Sequence, residues 1–340
     1  MPNRSTQSTT EQNTIGNLFE FDHDGLPLFR RRRHLIDTQD LLKEEVDCLM
    51  EVAALCKKNH QSEVEPLAVL SGKTIANIFY ENSTRTRSSF EMAARRLGAS
   101  VLNLDTKVSS VAKGETITDT ARQLVSMRVD AIVQRHSASG AAAHVATELG
   151  DKVQIINAGD GWHAHPTQAL LDFFTMTEIR GSLSGARVAI VGDILHSRVA
   201  RSNMWLLTKY GVDLNVAGPP TLVPAGLESF GVTVHNRLEP AIEGCDFIMV
   251  LRLQMERQKQ GLIPSVGEYK KLFRLDHARL QLAAPGVRIL HPGPVNRGIE
   301  ITDALVDDES KSLIDAQVAN GVAVRMAVLY LLLTGKESVQ

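Results

Sequence analysis

Between positions 79 and 91 the chain reads FYENSTRTRSSFE, in which Ser83, Thr84, Arg85 and Thr86 are consecutive hydrogen-bond donors. They stand where an apolar run, TIANIFY (74–80), gives way to a helical pattern, SSFEMAARRLGA, with Phe90, Ala94 and Leu97 on one face. The first turn of a helix presents unpaired backbone N–H groups and the positive end of the dipole. Hydroxyls and a guanidinium added there make a pocket suited to the tetrahedral oxygens of a phosphate. A plainer reading also exists: the hydroxyls cap the helix and the arginines are surface charges. Ser88 and Glu91 match a capping box, and Ser83 to Thr86 could equally open the helix. One hydroxyl satisfies a cap, and the run of donors exceeds that need.

Other candidates stand at comparable places. Arg135 closes the run AIVQR (131–135), within reach of the same anion. His165 precedes Pro166, a residue suited to the first helical position, and Gln168 follows one turn on. His165 therefore reads either as a structural cap or as a site residue. His163 and His165 form a His-x-His pair, but no Asp, Glu or Cys follows at ligand spacing, so no metal is expected. Arg198 in GDILHSR, and Arg252 with Gln254 in VLRLQ, suit the two carboxylates of a dicarboxylate. Taken singly, an arginine of this kind is more often a surface ion pair. LHPGPVNRGIE (290–300) is a Pro-Gly-Pro loop able to aim carbonyls at a ligand, and KVSSVAKGETITDT is a polar loop carrying Lys113. Common nucleotide motifs fail: SGKT (71–74) has Leu67 where a P-loop needs glycine, and VGDILHSR lacks the dinucleotide glycine spacing.

The elements that must hold these residues repeat: short apolar runs, each followed by a helical pattern. The runs lie at 74–80, 100–104, 131–135, 153–157, 187–193, 213–218, 247–252 and 288–293. This alternation predicts an α/β protein with two doubly wound domains, each a mostly parallel sheet flanked by helices. Ligands in such sheets sit at the carboxyl ends of the strands, at a switch in strand order. TQDLLKEEVDCLMEVAALCKK begins a helix before the first run, HPTQALLDFFTM begins one linking the halves, and EIRGSLSGA marks the turn after it. The expected division is an N-terminal extension, 1–33, largely mobile; a first domain, 34–170, completed by the C-terminal helix 315–335; and a second domain, 171–314. The C-terminal helical pattern is apolar on much of its surface and must be buried.

Composition excludes several classes. The chain has 340 residues, 43% of them hydrophobic, and a formal net charge of −2. That balance argues against nucleic-acid binding, and the run Arg30 to Arg33 reads as a solvated arm. No apolar stretch is expected to reach the ~20 residues a bilayer span needs. Nor does the start, MPNRSTQSTTEQNT, have a secretory apolar segment. Cys48, Cys56 and Cys245 are too scattered for a disulfide framework or zinc site. The expectation is a cytoplasmic globular protein without metal or cofactor, membrane or nucleic acid.

FYENSTRTRSSFE, SSVAKGET, HPTQALLD, LRLQMER and HPGPVNRGIEI, in this order and spacing, resemble the aspartate carbamoyltransferase family from about His34 to Thr334. STRTR alone would indicate the wider carbamoyltransferases. HPGP resembles the aspartate branch, because ornithine enzymes carry cysteine where this chain has Pro292. About thirty residues precede the usual family start.

The resemblance implies the carbamoyltransferase fold and transfer of a carbamoyl group from carbamoyl phosphate to L-aspartate, within de novo pyrimidine biosynthesis. It places the phosphate on Ser83, Thr84, Arg85 and Thr86. Arg135, His165 and Thr86 would polarise the carbamoyl oxygen, and Gln168 with the carbonyls of Gly293 and Pro294 would hold its NH2. Arg198, Arg252 and Gln254 would clamp aspartate, joined by Lys113. The resemblance further implies a homotrimer whose neighbouring subunit supplies Ser109 and Lys113, and leaves room for a regulatory or dihydroorotase-like partner chain. Domain closure on aspartate is also expected. Two rivals remain at this stage. A carbamoyltransferase for another amine should lack the set Arg198, Arg252 and Gln254, and a non-catalytic scaffold should have lost donors at the phosphate turn.

Overall fold

A computed structural model describes residues 22–61, 67–104, 114–254, 262 and 265–334. Its strands form two sheets, each parallel throughout. The first contains β1 (Thr74–Phe79), β2 (Ser100–Leu104), β3 (Ala131–His136) and β4 (Gln154–Asp160), in the order β2-β1-β3-β4. The second contains β5 (Arg187–Val191), β6 (Asp213–Ala217), β7 (Thr233–His235), β8 (Phe247–Val250) and β9 (Arg288–Leu290), in the order β7-β6-β5-β8-β9. The short β7 lay in no expected run.

Period-two alternation explains why the runs are apolar throughout. In β1, Ile75 and Phe79 enter a core cluster that extends through both halves, while Ala76 and Ile78 face a second cluster. In β5, Val188 and Ile190 join the shared cluster, and Ala189 and Val191 face a third. Both faces are covered along the inner strands, as parallel sheets require, while the edge strand β2 is largely exposed.

Helices α1 (Leu26–Arg31) and α2 (Lys43–Gln61) precede β1, and α3 (Thr84–Arg96) follows it. Next come α4 (Ile117–Ser126) and α5 (Ala141–Leu149). The connector α6 (Pro166–Arg180) runs from β4 toward β5 and packs on α7 (Arg198–Thr208) of the second half. Short helices α8 (Leu238–Ile242), α9 (Val266–Phe273), α10 (His277–Leu280) and α11 (Asp303–Val306) complete the second half. The last helix, α12 (Ile314–Thr334), packs against α2, α3 and α6.

Two expectations change. The C-terminal helix has 21 residues and is long and apolar enough to cross a membrane by length and composition alone. Here it is a core helix, with Gln317, Asn320 and Arg325 buried among its apolar residues and bonded within the protein. The arginine run is also not a solvated arm throughout. Phe29 is fully buried, and Arg32 pairs with Glu45 at 2.7 Å and Asp40 at 2.7 Å. An aromatic anchor and a shielded ion pair hold residues 29–32 against α2; Arg33, paired with Asp151, stays half exposed.

Candidate active site

The first sheet reverses its winding between β1 and β3, and the second between β5 and β8. The chain leaving β1 carries Glu81 and the Ser83–Thr86 turn, and β3 ends at Arg135 and His136. The chain leaving β5 reaches Arg198 at the start of α7, and β8 is followed by Arg252 and Gln254. Ligand-binding crevices of open α/β sheets form at such switch points. Here the two crevices open into one cavity of about 810 Å³. Ser83, Thr84, Arg85, Thr86, Arg135, His165, Gln168, Arg198, Arg252, Gln254, Gly293 and Pro294 all line it. Ser109 and Lys113 lie outside the described residues.

The opening turn favours the anion reading over the cap. Helix α3 begins at Thr84 with Ser83 as its extended N-cap residue, and the Ser83 side chain makes no capping hydrogen bond. The Ser88–Glu91 box does not form, because Glu91 instead accepts from Arg95 at 2.9 Å and Asn103 at 3.0 Å. The hydroxyl at the helix mouth is therefore available to a ligand beside first-turn N–H groups. Across the cavity, Arg85 donates to the Pro292 carbonyl at 3.4 Å, its guanidinium lying where a Cβ on residue 293 would be. Only glycine allows that approach.

Two arginines meet at the end of β4. Arg135 donates to the Ala158 carbonyl at 3.2 Å, and Arg198 to the Gly161 carbonyl at 3.2 Å. Gly159, at φ +114°, lets both guanidinia lie against the backbone; a Cβ there would sit 3.0 Å from Arg135 Nη1 and from Arg198 Nε. Glu81 Oε2 accepts from Arg198 at 2.7 Å and forms an ion pair with Arg135 at 3.1 Å.

His165 caps α6 in position only, with no capping bond from its side chain. Its backbone N–H donates to Ser202 Oγ at 2.9 Å, and its ring is buried with Nδ1 unpartnered. Burial holds the imidazole well below its ordinary pKa, and the fields of Arg135, Arg198 and Arg325 push the same way. A neutral ring results. His163 points elsewhere: it lies between Asp160, at 3.0 Å, and Asp37, at 3.3 Å. Bonds to those carboxylates raise its pKa to about 10. Among the described residues no cluster suits a metal ion.

Several lining or supporting groups escaped the sequence reading. Glu81 sits inside the quoted FYEN stretch, and a carboxylate at a strand end beside many cations was its signal. Arg325 was signalled by being the lone charge within NGVAVRMAVLYLLL. It is buried, lies 5.1 Å over the Phe90 ring and donates to the Gly321 carbonyl at 3.0 Å. Burial lowers its pKa to about 10. His291 organises the Pro-Gly-Pro loop. Its Nδ1 accepts the Gly293 N–H at 2.8 Å, so the proton resides on Nε2, 3.2 Å from Glu300 Oε1. Among the described residues five arginines (85, 135, 198, 252 and 325) and one carboxylate, Glu81, line the cavity, which makes it a receptor for anions.

The fold and this paired-crevice site are those of a carbamoyl-transfer protein. The chain belongs to the aspartate/ornithine carbamoyltransferase family: residues 33–178 match its carbamoyl-P binding domain and residues 184–332 its Asp/Orn binding domain. It is 50% identical over 305 residues to the aspartate carbamoyltransferase catalytic subunit of Moorella thermoacetica, covering 90% of this chain and 98% of that one. It is similar to the aspartate transcarbamoylase of Trypanosoma cruzi in complex with carbamoyl phosphate and aspartate, at 29% identity and a TM-score of 0.78, covering 88% of this chain and 95% of that chain. The ornithine carbamoyltransferase of Pyrococcus furiosus is 31% identical with a TM-score of 0.80, covering 90% and 98%. Backbone likeness therefore does not separate the two acceptors.

Proposed function

We propose that this chain transfers the carbamoyl group of carbamoyl phosphate to the α-amine of L-aspartate, giving N-carbamoyl-L-aspartate and phosphate for pyrimidine biosynthesis. The observation that carries the reading is the union, in one cavity, of the Ser83–Thr86 turn with Arg198, Arg252 and Gln254. The first set suits a phosphate and the second a dicarboxylate. Ornithine offers a cation where aspartate offers its second carboxylate, and two arginines disfavour it.

In this reading the amine attacks the carbamoyl carbon directly. The carbonyl oxygen gains charge, the bond from carbon to the phosphate oxygen breaks, and the amine loses a proton. Arg135, Thr86 and neutral His165 donate to the developing oxyanion, while Arg85 and the helix mouth take the leaving phosphate. Gln168 and the carbonyls of Gly293 and Pro294 orient the NH2. Arg198, Arg252, Gln254 and Lys113 hold aspartate at attack distance.

The same reading assigns carbamoyl phosphate to residues 34–170 with helix 315–335, and aspartate to residues 171–314. The packing of α12 on α2, α3 and α6 supports that grouping. It includes a homotrimer with Ser109 and Lys113 contributed by a neighbouring copy, as the resemblance implies. A cytoplasmic setting is also part of it, supported by three buried free cysteines, each with its thiol pushed up to about 12.

The test is incubation of the purified chain with carbamoyl phosphate and either L-aspartate or L-ornithine, with measurement of the carbamoylated product. Product with aspartate alone is expected; product with ornithine alone overturns the assignment.

A further inference from the structure

Asp172 is fully buried behind the cavity wall, one turn along α6 from Gln168. Its oxygens accept three amide hydrogen bonds: from Gln168 Nε2 at 2.9 Å, Gln317 Nε2 at 2.7 Å and Asn203 Nδ2 at 2.9 Å. The donors come from α6, α12 and α7. Gln317 is itself fixed, because its Oε1 accepts the backbone N–H of His291 at 2.9 Å. One buried chain thus runs from Gln168 through Asp172 and Gln317 to His291, whose Nδ1 holds the Gly293 N–H.

An amide side chain is nearly symmetric in shape, and only its partners decide which end faces where. An ionised carboxylate accepts and cannot donate, so the end of Gln168 facing Asp172 must be the NH2. Its carbonyl oxygen then faces the cavity that Gln168 lines. Burial draws the Asp172 carboxyl up to about 6, opposed by its three amide donors and by the charge of Arg325, so it is ionised in a neutral to mildly alkaline assay.

We infer that Asp172 is a positioning residue that sets substrate specificity: it holds Gln168 with its carbonyl toward the cavity and, through Gln317, keeps the 291–294 loop in register with it. The inference rests on the proposed role of Gln168 toward the carbamoyl NH2. The two acceptor groups assigned to that NH2 belong to one network, and Asp172 is its hub. A substrate bearing NH2 satisfies those acceptors. One bearing methyl in its place leaves a buried acceptor unpaired, a difference of roughly tenfold to a hundredfold in affinity.

The test compares carbamoyl phosphate, read as kcat/KM, with acetyl phosphate, read as the inhibition constant of a competitive inhibitor. In Asp172→Ala both acceptor oxygens are gone, and Gln168 loses the partner that fixes its orientation. Carbamoyl phosphate kcat/KM is expected to fall about tenfold or more while acetyl phosphate inhibition changes by less than about twofold. A merely structural role would weaken both alike, together with thermal stability. Gln317→Met keeps the bond from Gln168 to Asp172 and cuts the link from Asp172 to the 291–294 loop. A smaller loss of the preference for carbamoyl phosphate is expected there, which keeps the inference testable if Asp172→Ala fails to fold. Gln168→Ala separates the two layers. If it loses the preference and the Asp172 and Gln317 variants keep it, the role of Asp172 is overturned; if Gln168→Ala keeps the preference, the role of Gln168 falls and the inference with it.

Discussion

Glu81 Oε2 stands 2.7 Å from Arg198 Nη2, an ion pair that joins the loop leaving the first sheet to the first turn of a helix in the second. The same oxygen holds Arg135 at 3.1 Å. A guanidinium proposed for the carbonyl oxygen and one proposed for a carboxylate thus share one small anchor between the two halves.

Glu81→Gln keeps the shape and removes the charge. If the anchoring contributes ~1.4 kcal/mol at the transition state, kcat/KM for aspartate falls about tenfold. The fold should be retained, because Glu81 is partly exposed. Steady-state kinetics across an aspartate series measures this, and an unchanged kcat/KM refutes it.

His165 should not titrate near neutrality. Burial and three arginines hold its pKa well below the ordinary value, so its imidazole stays neutral from mildly acidic to alkaline pH. NMR of the ring protons should show no inflection near pH 6.5. His165→Ala is expected to cost roughly 10²–10³ in kcat, the cost typical of a lost oxyanion donor.

His163 should behave oppositely. Its folded pKa of about 10 lies above the ordinary 6.5, because Asp160 and Asp37 bond to the protonated ring. A raised pKa means a stabilising contribution that is complete below pH 6.5 and lost as pH rises through 10. The difference in Tm between the native chain and His163→Ala should therefore be largest just below pH 6.5 and close on the way to pH 10. A difference independent of pH across that range would show that the clamp is uncharged.

Phe29 anchors the N-terminal segment. Its ring is fully buried in the shared core cluster, so Phe29→Ala should cost about 3–5 kcal/mol in urea unfolding while leaving KM for both substrates intact. Deletion of residues 1–33 should destabilise at least as much, since Arg32 leaves with Phe29 and strands the buried Glu45.

The proposed homotrimer with shared sites makes a mixing prediction. Lys113→Ala and Arg85→Ala trimers, each inactive, should regain part of the activity on subunit exchange, because some mixed sites combine a native Arg85 with a native Lys113. Absence of recovery despite exchange shown by mass spectrometry would exclude a shared cavity.

What the sequence determined by itself was whatever depends on near neighbours. Apolar runs alternating with helical patterns dictated parallel sheets covered on both faces, and Pro166 and the Ser83–Thr86 run marked helix starts within a turn. Strand ends in such sheets converge on a crevice, so Arg135, His165, Arg198 and Arg252 were legible as site candidates from position alone. Tertiary structure decided what depends on distant partners. Ser88 and Glu91 had the spacing of a capping box, but Glu91 found Arg95 and Asn103, and the helix opened a turn earlier. The apolar length of the last helix is the same for a membrane span and a core helix; only its packing on α2, α3 and α6 distinguishes them. Glu81 meets Arg198 across 117 positions, and Asp172 meets Gln317 across 145. A buried carboxylate needs donors brought to it by packing, and no local spacing encodes which residues those will be.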